Sequence, residues 1–146
     1  MSDIRVRPAQ KADRTNWEPL WKGYQEFYNV NLDAETDDLW QRLMQTNPDG
    51  PVCLVAEDGD TLLGFTHYLF HGTTWSARKR IYLNDLFTAE QARGRGVGRA
   101  LIEAVYQAAD EAKAESVYWL TQDFNKPGRA LYDKVAKLTP FIKYAR

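Results

Sequence analysis

The run Arg93-Gly94-Arg95-Gly96-Val97-Gly98 constrains this chain more than any other stretch. An apolar segment, Ile81-Tyr82-Leu83-Asn84-Asp85-Leu86-Phe87, precedes it and ends in the polar turn Thr88-Ala89-Glu90-Gln91. After it, Val97, Leu101, Val105, Ala108 and Ala112 recur at helical steps of three and four. The glycines therefore lie where a strand hands over to a helix. A helix start leaves its first N–H groups without partners and carries partial positive charge. Glycines let that backbone take positive φ and approach an anion closely. The physical reading is a phosphate cradle. Two common nucleotide fingerprints fail on spacing. Counting from Gly94, the last glycine of Gly-x-Gly-x-x-Gly falls on Arg99, and the chain has Gly98-Arg99-Ala100 where a P-loop closes on Gly-Lys-Ser/Thr.

The flanking pattern supplies the frame. Ile4–Arg7 alternates and stops at Pro8, which predicts a short first strand. Trp17, Leu20, Trp21, Tyr24, Phe27 and Tyr28 mark one helical face, with Thr15 or Asn16 as N-cap and Pro19 in the first turn. Leu39, Trp40, Leu43 and Met44 predict a second helix capped by Asp33 or Thr36. Asn47-Pro48-Asp49-Gly50-Pro51 is a turn, followed by strands over 52–57 and 61–70 joined at Asp58-Gly59-Asp60. Residues 71–80 read as a loop, 81–87 as a strand, and the glycine run then opens a helix to about Lys113. A strand over 116–121, a short helix over 128–135 and a last strand over 140–144 complete the order β-α-α-β-β-β-α-β-α-β. This is an α/β (α+β) layer architecture, a mixed and largely antiparallel central sheet flanked by helices.

Length and composition narrow the function classes. At 146 residues the chain is one domain, 1–146, with 44% hydrophobic residues to fill a core. A net charge of −1 draws it to neither nucleic acid nor membrane. The lone Cys53 permits no internal disulfide and no cysteine-based metal site, and it reads as a buried strand residue. His67 and His71 have no clear third ligand, so no metal is expected. Five tryptophans in so short a chain suggest that some line a pocket. No leader-like apolar segment opens the chain and no run is long enough to span a membrane, so the cytoplasm is expected.

Arg93, Gly96 and Gly98 spell Arg-x-x-Gly-x-Gly, which resembles the acetyl-CoA signature of the GCN5-related N-acetyltransferase (GNAT) family. The predicted element order matches that family across nearly the whole chain. The resemblance implies that Arg93, Gly94, Arg95, Gly96, Val97, Gly98 and Arg99 hold the CoA pyrophosphate. Leu86, Phe87 and Thr88 would pair with the pantetheine arm through main chain. Asn125 would bond the pantetheine or phosphate region, and Tyr132, seven residues on, would stand near the CoA sulfur as general acid. Segments 82–87, 124–127 and 137–146 are similar to the polyamine and histone acetyltransferase subgroup, which implies a polyamine-like or lysine-like acceptor and a homodimer. Diamine acetyltransferases carry an acidic residue where this chain has Asn84, while Asp85 remains.

The implied reaction is direct attack of a neutral primary amine on the thioester through a tetrahedral intermediate, with the oxyanion held by strand N–H groups. The ammonium must first lose a proton, and Asp85, Glu26 or a water chain are the candidate acceptors. The acidic residues Asp33, Glu35, Asp37 and Asp38 would form a negative rim for a cationic acceptor. The alternative is a CoA-binding regulatory module without catalysis.

Overall fold

The computed structural model describes residues 3–146. Met1 and Ser2, which open the segment read as lacking a leader, lie outside the described residues. The strands are β1 (Arg5–Pro8), β2 (Val52–Asp58), β3 (Thr61–Thr73), β4 (Ser76–Thr88) and β5 (Ser116–Tyr118). The helices are α1 (Arg14–Tyr28), α2 (Thr36–Met44), α3 (Val97–Ala112) and α4 (Lys126–Val135). One sheet runs in the order β1-β2-β3-β4-β5. Its first four strands are antiparallel and β5 joins β4 in parallel. Helices cover both faces. Trp17 and Trp21 of α1 pack on Phe65 and His67, and Val97 of α3 approaches the other face at Gly64. A Cβ on Gly64 would lie 2.5 Å from the Phe87 carbonyl oxygen, so only glycine lets α3 and β4 close on this strand. Among the described residues no helix is long and apolar enough to cross a membrane.

The core follows the hydrophobic pattern. Val55, Phe65, Ile81, Leu101, Ile102 and Val105 are fully buried. Cys53 is buried in β2, where loss of solvation pushes its thiol well above the ordinary range. Trp17, Trp21 and Trp40 stack in the core, Trp75 is exposed, and Trp119 packs on Tyr106 and Tyr132. None of the five lines the main groove, contrary to the expectation from their number.

Several boundaries move. Helix α1 starts at Arg14, so Thr15 and Asn16 lie inside it and Pro19 is its sixth residue. The carbonyl that Pro19 leaves without a donor belongs to Thr15, which is exposed and open to water. Asp13 precedes the helix, but its carboxylate is taken by Arg7 and the Gln10 N–H. A 3-10 turn, Asp33–Glu35, leads into α2, and Thr36 is the first helical residue, with its hydroxyl donating to the Leu32 carbonyl. Residues 71–80 form no loop: β3 and β4 continue to a tight turn closed by Thr73 and Ser76. Both sides of that outer hairpin are largely solvated, so no buried face marks it in the sequence. β5 ends at Tyr118 rather than 121, because Trp119 turns onto Tyr106 and Tyr132. The expected last strand at 140–144 does not form. That segment pairs with no strand among the described residues and is exposed throughout.

Candidate active site

Pairing of β4 with β5 ends at Tyr82 and Tyr118, yet β4 runs on to Thr88. Among the described residues, Leu83–Thr88 thus pair with β3 on one side only. The edge they leave is one wall of a groove of about 410 Å³. Leu86, Phe87 and Thr88 line that wall; Asn125, Gly128, Leu131 and Tyr132 of α4 and its cap line the opposite one. Arg93, Gly94, Gly96, Val97, Gly98 and Arg99 close one end, and Phe27 and Tyr28 of α1 with Pro127 of α4 contribute the rest. A strand edge with unpaired N–H and C=O groups suits an extended ligand carrying amides.

The glycine run has the geometry an anion requires. Gly94 and Gly96 take φ of +81° and +82°, a region closed to most side chains. A Cβ on either would meet no protein atom within 4 Å, so the backbone there faces open space. Gly96 precedes α3, and the first helical bond runs from the Ala100 N–H to its carbonyl. The N–H groups of Val97, Gly98 and Arg99 are left without helical partners. Arg93 lies 5.9 Å over the Phe87 ring at the groove. Arg95 differs from its neighbours: it turns outward to Asp58 at 2.7 Å and does not line the groove.

Asn125 caps α4, accepting from the Gly128 N–H at 3.3 Å and donating to Thr121 at 3.0 Å. It lines the groove at the same time. Tyr132 stands with its ring edge-on to Trp119 at 5.4 Å. Burial, with Tyr28 nearby, pushes its phenol up to about 12, so it is a protonated donor at neutral pH.

Asp85 is not in the groove wall. It sits behind it, against α1, in a bonding pattern the sequence did not reveal. His67 pairs with Asp85 across the sheet and Tyr68 pairs with Leu83, so Asn84 is the extra residue of a β-bulge. The His67 Nδ1 lies 2.9 Å from Oδ2, while Tyr24 Oη donates to Oδ1 at 2.5 Å and Asn84 Nδ2 at 3.1 Å. Burial alone would raise this carboxyl, but the hydrogen bonds from His67, Tyr24 and Asn84 outweigh it and hold it below the ordinary value. His67, read from the sequence only as a weak metal candidate, is instead a buried partner of this carboxylate. His71 is bonded to the Tyr118 hydroxyl on the outer hairpin. Glu26 is exposed on α1. Of the four acidic residues expected to form a rim, Asp37 pairs with Arg14 at 2.6 Å and Asp38 with Arg42 at 2.8 Å.

A glycine cradle at a helix start, an open strand edge and a tyrosine across the groove coincide with a match over residues 17–136 to the model of the acetyltransferase (GNAT) family. The chain belongs to that family. It is an N-acetyltransferase, and GNAT enzymes take their acetyl group from acetyl-CoA. It is 38% identical to the D-amino-acid N-acetyltransferase HPA3 of Saccharomyces cerevisiae over 98% of this chain and 90% of that one. It is 32% identical to the thialysine N-epsilon-acetyltransferase of Bos taurus over 90% of this chain and 82% of the other. Among solved structures, a probable acetyltransferase matches at a TM-score of 0.84 with 24% identity, covering 97% of this chain and 96% of that one. The aminoglycoside N-acetyltransferase AAC(6′)-Iy in complex with CoA matches at 0.81 with 18% identity, covering 100% and 95%. These two likenesses establish the fold.

Proposed function

We propose that the groove between β4 and α4 binds acetyl-CoA and that the enzyme passes the acetyl group directly to a primary amine of a small polyamine-like or lysine-like molecule. The observation that carries this reading is the unpaired β4 edge at Leu86–Thr88, which runs beside the glycine cradle and opposite Tyr132. The pyrophosphate would rest on the N–H groups of Val97, Gly98 and Arg99, the pantetheine along β4, and the thioester near the Tyr132 phenol. Attack by the amine gives a tetrahedral oxyanion that N–H groups of β4 stabilise, and Tyr132 assists departure of the thiolate. Asp85, held below its ordinary range, is a poor final resting place for a proton from an ammonium of reference pKa about 10. It serves as the fixed anion that draws the amine in, and the proton leaves through water.

Two relatives named for amino-acid amines, D-amino acids in one and thialysine in the other, are consistent with a lysine-like acceptor. Asp33 and Glu35 would keep the expected rim acidic, since of its four carboxylates Asp37 and Asp38 are the ones paired among the described residues. A thiol-release assay over a panel of spermidine, lysine, thialysine, D-amino acids and neutral amines tests this, beside a thermal shift with acetyl-CoA. Cationic amines should react fastest and lose rate with added salt. Faster neutral or acidic amines with no salt effect would overturn the acceptor class. Stabilisation by acetyl-CoA with no thiol release from any amine would leave a CoA-binding regulatory module.

The same reading includes a homodimer. Leu138, Phe141, Ile142 and Tyr144 in the tail are 71–90% exposed, and Leu120 and Phe124 stand exposed after β5. So much apolar surface calls for a cover, and a second copy supplies one with matching chemistry. Light scattering at micromolar concentration should give twice the 16.9 kDa chain mass; a monomer contradicts it.

A further inference from the structure

The groups around Asp85 form a chain whose direction is fixed by what each can donate. An indole N–H only donates, so in the 3.3 Å contact from Trp17 Nε1 the His67 Nε2 must accept. The imidazole proton then sits on Nδ1 and donates to Asp85 Oδ2 at 2.9 Å. Asn84 and Tyr24 both donate to Oδ1. Tyr24, Asn84 and His67 thus each direct a proton at the carboxylate. The Tyr24 hydroxyl has therefore spent its only proton, and its oxygen is left with lone pairs alone. Tyr24 is half-buried, with its ring 4.9 Å from the Tyr28 ring and 6.5 Å from the Phe87 ring, both of which line the groove.

That state suits the nucleophile. An amine attacks through its lone pair, so its hydrogens must be given to acceptors facing away from the thioester. An acceptor-only oxygen beside two aromatic rings takes an N–H and holds a cationic amine on the ring faces until it loses its proton. An ordinary tyrosine, free to donate, would compete for the very lone pair the reaction needs.

We propose that His67 is a positioning residue for acetyl transfer: locked by Trp17, it fixes the Asp85 carboxylate against Tyr24, so that the Tyr24 oxygen accepts a hydrogen bond from the incoming amine. This rests on reading the groove as the acetyl-transfer site. Trp17 and His67 are buried, His67 at 2% exposed, so the bond that sets the imidazole proton is shielded from solvent. Bulge geometry at Asn84 aims Asp85 at α1 instead of into the groove. The titratable groups that face Asp85 are Tyr24 and Tyr28 from α1, Cys53 from β2, His67 from β3 and Tyr82 from β4. The phenols and the thiol are all pushed upward by burial, with the Asp85 charge adding, and they stay protonated at working pH. An acid limb that depends on this cluster therefore belongs to the Asp85 carboxyl.

The test compares His67→Leu, which removes the donor, with His67→Asn, whose side-chain N–H falls where Nδ1 was. In His67→Leu, kcat/KM for the best amine should fall roughly 10–100-fold, the usual weight of a hydrogen bond to a charged group. The acid limb of its pH profile should move to higher pH, because Asp85 takes up a proton sooner. KM for acetyl-CoA should hold within about twofold, and His67→Asn should recover most of the loss. A merely structural histidine would lower both substrates' constants together and leave the acid limb in place, and that result overturns the proposal. A folded His67→Leu protein with wild-type amine kinetics overturns it too. If His67→Leu does not fold, nitrogen NMR of the wild-type imidazole decides: a proton on Nδ1 and a bare Nε2 are expected, and a proton on Nε2 breaks the chain. That spectrum needs no turnover. If no amine releases thiol, the failure lies in the acetyl-transfer reading; if only the spectrum disagrees, it lies in the role of His67.

Discussion

Gly96→Val should abolish acetyl-CoA binding in a protein that still folds. Calorimetric titration should show at least a 100-fold loss of affinity, with the helical circular dichroism of the wild type. Gly96 holds φ +82° and ψ 17° immediately before α3. A β-branched residue in that region is an outlier, and even an unbranched side chain costs about 1–2 kcal/mol there. Valine relieves the strain by swinging the peptide out of its left-handed state, and the N–H groups at the start of α3 turn with it. The open space beyond Gly96, where a Cβ meets no protein atom within 4 Å, belongs to the groove. The new methyls would then occupy the place where an anion must come close to the backbone. Folding is insulated from this change, because Val97, Leu101, Ile102 and Val105 anchor α3 in the core. Gly98→Val differs in mechanism, since its Cβ would lie 3.1 Å from Leu131 Cδ2 and push on α4. A folded Gly96→Val protein with unchanged acetyl-CoA affinity would remove the cradle from the mechanism.

What could be read in advance was what local pattern encodes. The strand-glycine-helix junction is legible because an apolar run, a glycine-rich turn and a helical periodicity meet there, and the family resemblance points to the groove wall at Leu86–Thr88 in the strand that feeds it. Asn125 and Tyr132 follow from the family resemblance that their spacing carries, and both line the groove. What escaped depends on contacts between distant segments. The bulge at Asn84 shifts the register of β3 against β4, so the meeting of His67 with Asp85 has no signature in either strand. Tyr24, Phe27 and Tyr28 read as one aromatic helical face, and Phe27 and Tyr28 line the groove, but the bond from Tyr24 to Asp85 has no signature in the sequence. Pro19 misplaced the helix start because an exposed carbonyl at Thr15 tolerates the missing donor. The tail at 140–144 has strand-forming residues, but residue preference alone makes no strand without a paired neighbour.

Tyr132→Phe should reduce kcat by roughly 10²–10⁴, the range of general acid–base assistance, and leave acetyl-CoA affinity nearly constant. The substitution removes one oxygen and keeps the ring packed on Trp119, so thermal stability should change little. Burial pushes the phenol up to about 12, which keeps it protonated throughout the working range. Measured against a free thiol of reference pKa about 8.5, donation from such a phenol runs uphill. The same loss of solvation also raises a thiol in that setting, as it does for the buried Cys53 here, and the gap narrows when the leaving sulfur shares the groove. The proton then passes as negative charge develops on sulfur, so the benefit belongs to the transition state and appears in kcat instead of binding. Because Tyr132 does not ionise until pH nears 12, the pH profile of the wild type between 6 and 9 should owe no limb to it. Steady-state kinetics with the best amine of the panel, beside a CoA titration, decides the matter. Turnover within twofold of wild type would reduce Tyr132 to a packing partner of Trp119, and water would have to protonate the departing thiolate.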